Sequence, residues 1–200
     1  MSEHYYSRDP KVKSDPKEWS TALRGKTLRF KTDAGVFSKG EVDFGSRLLA
    51  ETFVVPESVG AILDVGCGYG PIGLSIAASF PERSIHMIDV NERALSLAML
   101  NAEQNNIANV EIYPSDALSA VTAKGFAAIL TNPPIRAGKE TVFNFYEGAF
   151  SKLAPGGELW VVIQKKQGAP STIERLEAMF GNAETVVKKK GYYILKAKKS

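Results

Sequence analysis

The chain has 200 residues, 44% hydrophobic and 24% charged, with a net charge of +3. This length suits one domain, or one domain with a short appendage, and rules out two large ones, and the balance of residues excludes disorder, collagen-like repeats and coiled coil. Uncharged apolar stretches such as Leu159 to Ile163 fall far short of the roughly 20 residues a membrane span needs, and the first thirty residues carry charges throughout with no apolar run, so no secretory signal is expected.

A single cysteine, Cys67, excludes an intrachain disulfide framework and fits a reducing, cytoplasmic setting. With two distant histidines, His4 and His86, it builds no metal cluster, so no metal is expected. Charge is unevenly placed: ten Lys/Arg face seven Asp/Glu in residues 1–47, six face twelve in 48–163, and nine face three in 164–200. An acidic middle between basic ends suits a polyanion-binding rim around a site of different chemistry. The plain alternative is that Lys188 to Lys190, Lys196, Lys198 and Lys199 are solvated lysines of an edge strand and tail.

In chain order, Leu28 to Thr32 and Val36-Phe37 flank the turn residues Asp33-Ala34-Gly35 and predict a small hairpin, a lid packed over one end of a sheet. Asp43 is either part of that lid or a helix N-cap. From residue 61, short apolar runs alternate with helical periodicity, the pattern of βαβ units and a parallel sheet. Ala61 to Val65 reads as a buried strand, followed by glycines and a helix opened by Pro71 and stopped by Pro81. Ile85 to Ile88 is a second strand, then a helix capped by Asn91 runs to about Asn105. Val110 to Tyr113 and Phe126 to Leu130 are the third and fourth strands, and Asn132-Pro133-Pro134 ends the latter. A helix carries Phe143, Phe150 and Leu153 until Pro155-Gly156-Gly157, and Leu159 to Ile163 is the fifth strand. Ser171 and Glu174 have capping-box spacing for a helix ending near Gly181. Two strands, about 183–188 and 192–197, close the chain as an antiparallel hairpin around Lys190-Gly191.

Two segments carry chemistry. Asp64-Val65-Gly66-Cys67-Gly68-Tyr69-Gly70 lies where the first parallel strand becomes a helix, and open α/β sheets bind ligands at the carboxyl ends of their strands. Glycines there let backbone approach a ligand closely. The run 68–73 also fits G-x-G-x-x-G, with Asp89 nineteen residues beyond Gly70, so a dinucleotide is a candidate ligand. Against it, Asp64 puts a carboxylate at the loop mouth, which suits a cationic ligand better than a pyrophosphate, and a dehydrogenase has no use for Asn-Pro-Pro. Cys67 reads as a small turn residue, since no base neighbours it in sequence, and His86 reads as structural.

These residues resemble class I S-adenosylmethionine methyltransferases. Asp64, Gly66, Gly68 and Gly70, with Cys67 among them, are similar to the first cofactor motif; Asp89 with Val90 is similar to the acidic end of strand two that holds the ribose hydroxyls; Asp116, after Ser115 and before Ala117, is similar to the adenine-facing carboxylate. Asn132-Pro133-Pro134-Ile135 resembles the Asn/Asp-Pro-Pro-aromatic motif for methylating planar nitrogens, departing from it at Ile135. With Gly35 to Ser38 and Val42 to Leu49, the pattern resembles the small methyltransferase-domain family, which includes the RsmC-type small-subunit ribosomal RNA guanine-N2 methyltransferases, and within it the stand-alone YbxB-like bacterial proteins.

The resemblance implies a Rossmann-like α/β fold: a seven-stranded, mostly parallel sheet with an antiparallel C-terminal hairpin and helices on both faces. Residues 1–50 are then a hairpin and lid, and residues 51–200 the catalytic domain. It implies S-adenosylmethionine as cofactor, with Asn132 at both the cofactor and the reacting amine, Pro133 as a second acceptor, and small-subunit rRNA or the 30S subunit as partner. Phe37, Pro134, Ile135, Arg136 and Lys139 are expected to meet the substrate, with Phe44 and Tyr69 as further stacking candidates. Rival readings are methylation of a protein glutamine or small-molecule amine, and an inactive RNA-binding module.

Overall fold

A computed structural model describes residues 7–200; His4 lies outside them. An antiparallel hairpin, β1 (Lys17–Leu23) and β2 (Lys26–Thr32), precedes α1 (Phe44–Thr52). The main sheet is built from β3 (Ile62–Val65), β4 (Ile85–Asp89), β5 (Val110–Pro114), β6 (Phe126–Thr131), β7 (Leu153–Gln164), β8 (Glu184–Lys189) and β9 (Tyr192–Lys198). Its order is β5-β4-β3-β6-β7-β9-β8, parallel from β5 to β7 and antiparallel at β9 and β8. The interleaved helices are α2 (Pro71–Ser79), α3 (Glu92–Gln104), α4 (Lys139–Lys152) and α5 (Ala169–Phe180). This is the doubly wound, Rossmann-like fold the sequence implied.

The central strands read as unbroken apolar runs because both faces are covered. Alternate residues divide cleanly. Ile62, Ala128, Leu130, Trp160 and Val162 join a core with α1, α2 and α3, whereas Leu63, Val65, Ile129, Val161 and Ile163 join one with α4 and α5. His86 is structural, edge-on to Tyr113 and Phe126 with Nδ1 2.9 Å from the Tyr113 hydroxyl.

Three local expectations need correction. The N-terminal hairpin turns at Arg24-Gly25, with φ of 51° and 73°, not at residues 33–35. The buried Asp33 carboxylate accepts from Ser14 Oγ, the Asp15 N–H and the Ala34 N–H, so this segment is bent away from strand geometry. Leu153 opens β7 instead of closing α4, although its N–H still caps the helix at the Ala149 carbonyl. Ser171 is not an N-cap: α5 starts at Ala169, ahead of Pro170, and the Ser171 hydroxyl donates back to the Gly168 carbonyl at 3.1 Å.

Gly60 sets the entry into β3. Its φ is +142°, and a Cβ there would lie 2.3 Å from the Gly125 carbonyl oxygen and 3.0 Å from the Ala127 nitrogen, both backbone atoms. Gly60→Ala is therefore expected to cost about 3 kcal/mol or more from combined strain and overlap. In a domain of this size that lowers the melting temperature by roughly 10 °C. Thermal unfolding within 2 °C of wild type, roughly the effect of less than 1 kcal/mol, would contradict it.

Candidate active site

Residues at the carboxyl edge of the sheet converge because β3 lies between β4 and β6. Val65 is in register with Ile88 on one side and Thr131 on the other, so Gly66, Asp89 and Asn132 leave the sheet side by side. The Thr131 hydroxyl donates to the Val65 carbonyl at 3.3 Å, tying the two exits together. The two sequence motifs thus share one cleft.

The glycine turn hangs on β4. The N–H groups of Gly66 and Cys67 both donate to the Ile88 carbonyl at 2.9 Å, and the Gly68 N–H donates to Asp89 Oδ2 at 2.8 Å. Gly66 and Gly68 have φ of +73° and +57°, and a Cβ on either would meet nothing within 4 Å: the turn needs glycine for its backbone, and the space above it is open.

Asp64 lies buried beneath this turn, its Oδ2 accepting the Gly73 N–H at 2.9 Å in the first turn of α2. Burial, only partly offset by that bond and reinforced by Asp89, pushes the carboxyl from 3.8 up to about 7. The folded chain therefore holds this proton more tightly than the unfolded one, and the group's contribution to stability falls as pH climbs from about 4 to about 7.

Asp89 Oδ1 accepts the Asn91 N–H at 2.9 Å. Its carboxyl is also raised by burial, against hydrogen bonds from Asn91, Gly68 and Val90. Asp89, at the rim beside open space, suits a ligand with hydrogen-bond donors, whereas Asp64, 1% exposed, lies beneath the turn and not at the loop mouth as the sequence suggested, so its charge acts on a bound cation only from below. Beside Asp89, the Ser115 N–H donates to the Asp89 carbonyl at 3.0 Å and the Ser115 hydroxyl to the Ala117 carbonyl at 2.8 Å, which shapes the bend presenting the exposed Asp116.

Asn132 is held from behind. Its Nδ2 donates to Asp43 Oδ2 at 3.4 Å and to Ser46 Oγ at 3.3 Å. Asp43 is also the N-cap of α1, one of its two sequence readings, its Oδ2 accepting the Ser46 N–H at 3.0 Å. With the amide nitrogen so engaged, Oδ1 is the end left for a ligand. The lock joins residues 89 apart in sequence, and Ser46 carried no signal of its own. Pro133 is buried and Pro134 half-buried, and a short 3-10 turn (Ile135–Ala137) follows.

The remaining expectations divide. Cys67 is buried and its thiol pushed up, by burial first and then by Asp89 and Asp64, the reverse of an activated nucleophile. Tyr69 is not a stacking face: it is 2% exposed, edge-on between Trp19 and Phe30, with its hydroxyl on the Glu41 carbonyl at 3.2 Å. Phe37 is 43% exposed on a loop fixed by Asn91 Nδ2, which donates to the Gly35 carbonyl at 2.9 Å, and by Arg93, which donates to the carbonyls of Pro10, Val12 and Ala34. Ile135 packs partly into the α4 and α5 core, while Arg136 and Lys139 are exposed, Lys139 Nζ lying 5.3 Å from the Phe143 ring. Among the described residues no helix is long and apolar enough to cross a membrane.

Residues 27–196 match the methyltransferase small domain family. The chain is 63% identical over its full length to the full-length YbxB protein of Bacillus subtilis. It is 36% identical over 188 residues, 92% of its length, to ribosomal RNA small subunit methyltransferase C of Vibrio parahaemolyticus, and covers 53% of that protein. Large subunit methyltransferase G of Klebsiella pneumoniae (strain 342) is 31% identical over 95% of the chain and 51% of its own length. The chain thus spans about half the length of these two rRNA methyltransferases. Among solved structures, a T. thermophilus 16S rRNA N2-guanine methyltransferase in complex with AdoMet and guanosine superposes with a TM-score of 0.80 at 27% identity, covering 96% of this chain and 52% of that one.

Proposed function

The chain belongs to the methyltransferase small-domain family, and from that premise we propose that it uses S-adenosylmethionine to methylate ribosomal RNA, with the exocyclic N2 amine of a 16S guanine as the acceptor. One observation carries the reading: the acid-rimmed glycine turn and Asn132-Pro133 leave adjacent parallel strands into one cleft.

When bound, S-adenosylmethionine supplies an electrophilic methyl group on a positively charged sulfur. Gly66, Cys67 and Gly68 would cradle it with backbone, Asp89 and the Val90 bend would take the ribose hydroxyls, Asp116 and Ala117 would hold the adenine, and Asp64 would supply negative charge from beneath the turn. The segment before residue 50, anchored by Asn91 at Gly35, serves as a lid on the unit formed by residues 51–200.

A purine amine is a poor nucleophile because its lone pair is delocalised into the ring. Asn132 Oδ1 and the Pro133 carbonyl accept its two N–H groups and turn the lone pair out of conjugation, so orientation replaces a strong base. Pro134 and Ile135 give the base an apolar floor, Phe37 an exposed ring, and Arg136 and Lys139 cations for the adjoining backbone.

The two rRNA relatives differ in the subunit they modify, so the test offers unmodified 16S RNA, 23S RNA and total protein together with tritiated cofactor. Label in 16S RNA as N2-methylguanosine supports the proposal in full. Label in 23S RNA alone keeps the rRNA enzyme and removes the 16S assignment. Label in protein, or nowhere, overturns it.

A further inference from the structure

The carboxyl edge of the sheet changes sign along its length. At β5, β4 and β3 it carries Asp116, Asp89 and Asp64. Beyond Asn132 it carries Lys165 and Lys166 at the end of β7, then Lys188, Lys189 and Lys190 where β8 turns into β9. All five lysines are exposed, and among the described residues none is ion-paired.

Strand direction separates them from the other lysines of the basic tail. β9 runs antiparallel to β7, so Lys196 to Lys199 return to the opposite edge. There Lys196 Nζ is paired with Glu184 at 2.7 Å, and Lys199 Nζ donates to the carbonyls of Phe150 and Leu153 at 2.8 and 3.0 Å.

The lysine-bearing turn is fixed to the reacting end of the cleft. A Cβ on Gly45 would lie 2.9 Å from Tyr192 Cε1, so α1 and β9 pack with no room to spare. The Phe44 and Tyr192 rings are 5.3 Å apart, Gln164 Nε2 donates to the Tyr192 hydroxyl at 2.8 Å, and the Lys165 N–H donates to the Gly191 carbonyl at 2.9 Å. Lys190 Nζ lies 5.0 Å from the Phe44 ring. Phe44 follows Asp43, which holds Asn132. Cations interleaved with half-buried rings beside an acceptor site form a surface suited to single-stranded nucleic acid.

We propose that Lys165, Lys166, Lys188, Lys189 and Lys190 bind the phosphates of the single-stranded RNA that presents the target base, which runs from Asn132 along the ends of β7, β9 and β8. This rests on the rRNA reading above and adds the path of the strand.

The test compares K188Q/K189Q/K190Q with a charge-matched control, K11Q/K26Q/K198Q, using an rRNA-derived single strand, its duplex, and a range of salt concentrations. The lysine turn variant should bind the single strand at least tenfold more weakly at physiological salt. Its log Kd against log salt should flatten by about two units, from roughly 0.7 per phosphate contact on a single strand. The KM for RNA should rise, with kcat at saturating RNA and cofactor affinity within a few-fold of wild type. K165Q/K166Q, on a separate segment, should repeat the effect at smaller size. Equal losses in the turn variant and the control would overturn the proposal, as would an unchanged salt slope or tighter binding of the duplex. Methyl transfer to RNA by wild type, with undiminished binding by the turn variant, would sink only this path. Absence of RNA binding by wild type would sink the rRNA reading as well.

Discussion

Asn132→Ala is expected to lower the rate of methyl transfer about 10³-fold at saturating substrates, the scale seen when a positioned polar group that acts on the transition state is deleted. The affinity for S-adenosylmethionine should stay within a few-fold, since the glycine turn hangs on Ile88 and Asp89 and not on Asn132. Isosteric Asn132→Asp should fail as well at neutral pH. Nδ2 now donates to Asp43 Oδ2 at 3.4 Å, and a carboxylate oxygen in its place would set two anions against each other. Single-turnover kinetics with calorimetric cofactor titration checks both variants. Substantial activity in Asn132→Ala would remove the acceptor role, and full activity in Asn132→Asp would show that the lock by Asp43 and Ser46 does not set the orientation.

The second large effect belongs to the acidic half of the edge. Asp89→Ala should weaken S-adenosylmethionine about 100-fold, since hydrogen bonds to a charged acceptor contribute about 1.5–3 kcal/mol each and about 1.4 kcal/mol is a factor of ten. Beneath it, Asp64 predicts a pH dependence with a definite sign. Its carboxyl sits near 7 in the folded chain through burial, and a cation brought close favours the ionised form. Affinity should therefore rise as pH increases from 6 through 8, with a proton released on binding below about 7. Asp64→Asn keeps an acceptor for the Gly73 N–H and removes the titration, so it should flatten the profile. Calorimetry in buffers of different ionisation enthalpy reads the released proton directly. Identical profiles for wild type and Asp64→Asn would detach Asp64 from the bound charge.

Those two halves of the edge were legible in sequence to different degrees. The glycine turn, Asp89 and Asn132-Pro133-Pro134 stand out because glycine and proline punctuate otherwise continuous buried strands, and strand order then brings them together without further information. The N-terminal hairpin was misplaced because Asp33-Ala34-Gly35 is a stronger turn signal than Arg24-Gly25. The real turn needs positive φ at Arg24, a residue with no preference for it. Ser171 and Glu174 had the right spacing for a cap, but the proline one residue earlier already sat inside the helix.

Pairings across long stretches of chain were invisible. Nothing in the spacing of Asp43 and Ser46 reveals that they hold Asn132, and nothing in the spacing of Arg93 reveals that it gathers the carbonyls of Pro10, Val12 and Ala34. Charge counting placed nine basic residues in the final segment but could not divide them. The direction of β9 does, sending Lys188 to Lys190 to the cleft and Lys196 to Lys199 away from it. Tyr69 shows the converse: an aromatic inside the glycine turn packs the hairpin against α2 and α3.

The most direct measurement is nucleoside mass spectrometry of 16S rRNA from cells lacking this protein, complemented with the wild-type chain or with Asn132→Ala. Restoration of one N2-methylguanosine by wild type and not by the variant is the predicted result. Identical methylation in all three strains, or restoration by Asn132→Ala, would contradict the proposal that this cleft methylates a guanine amine.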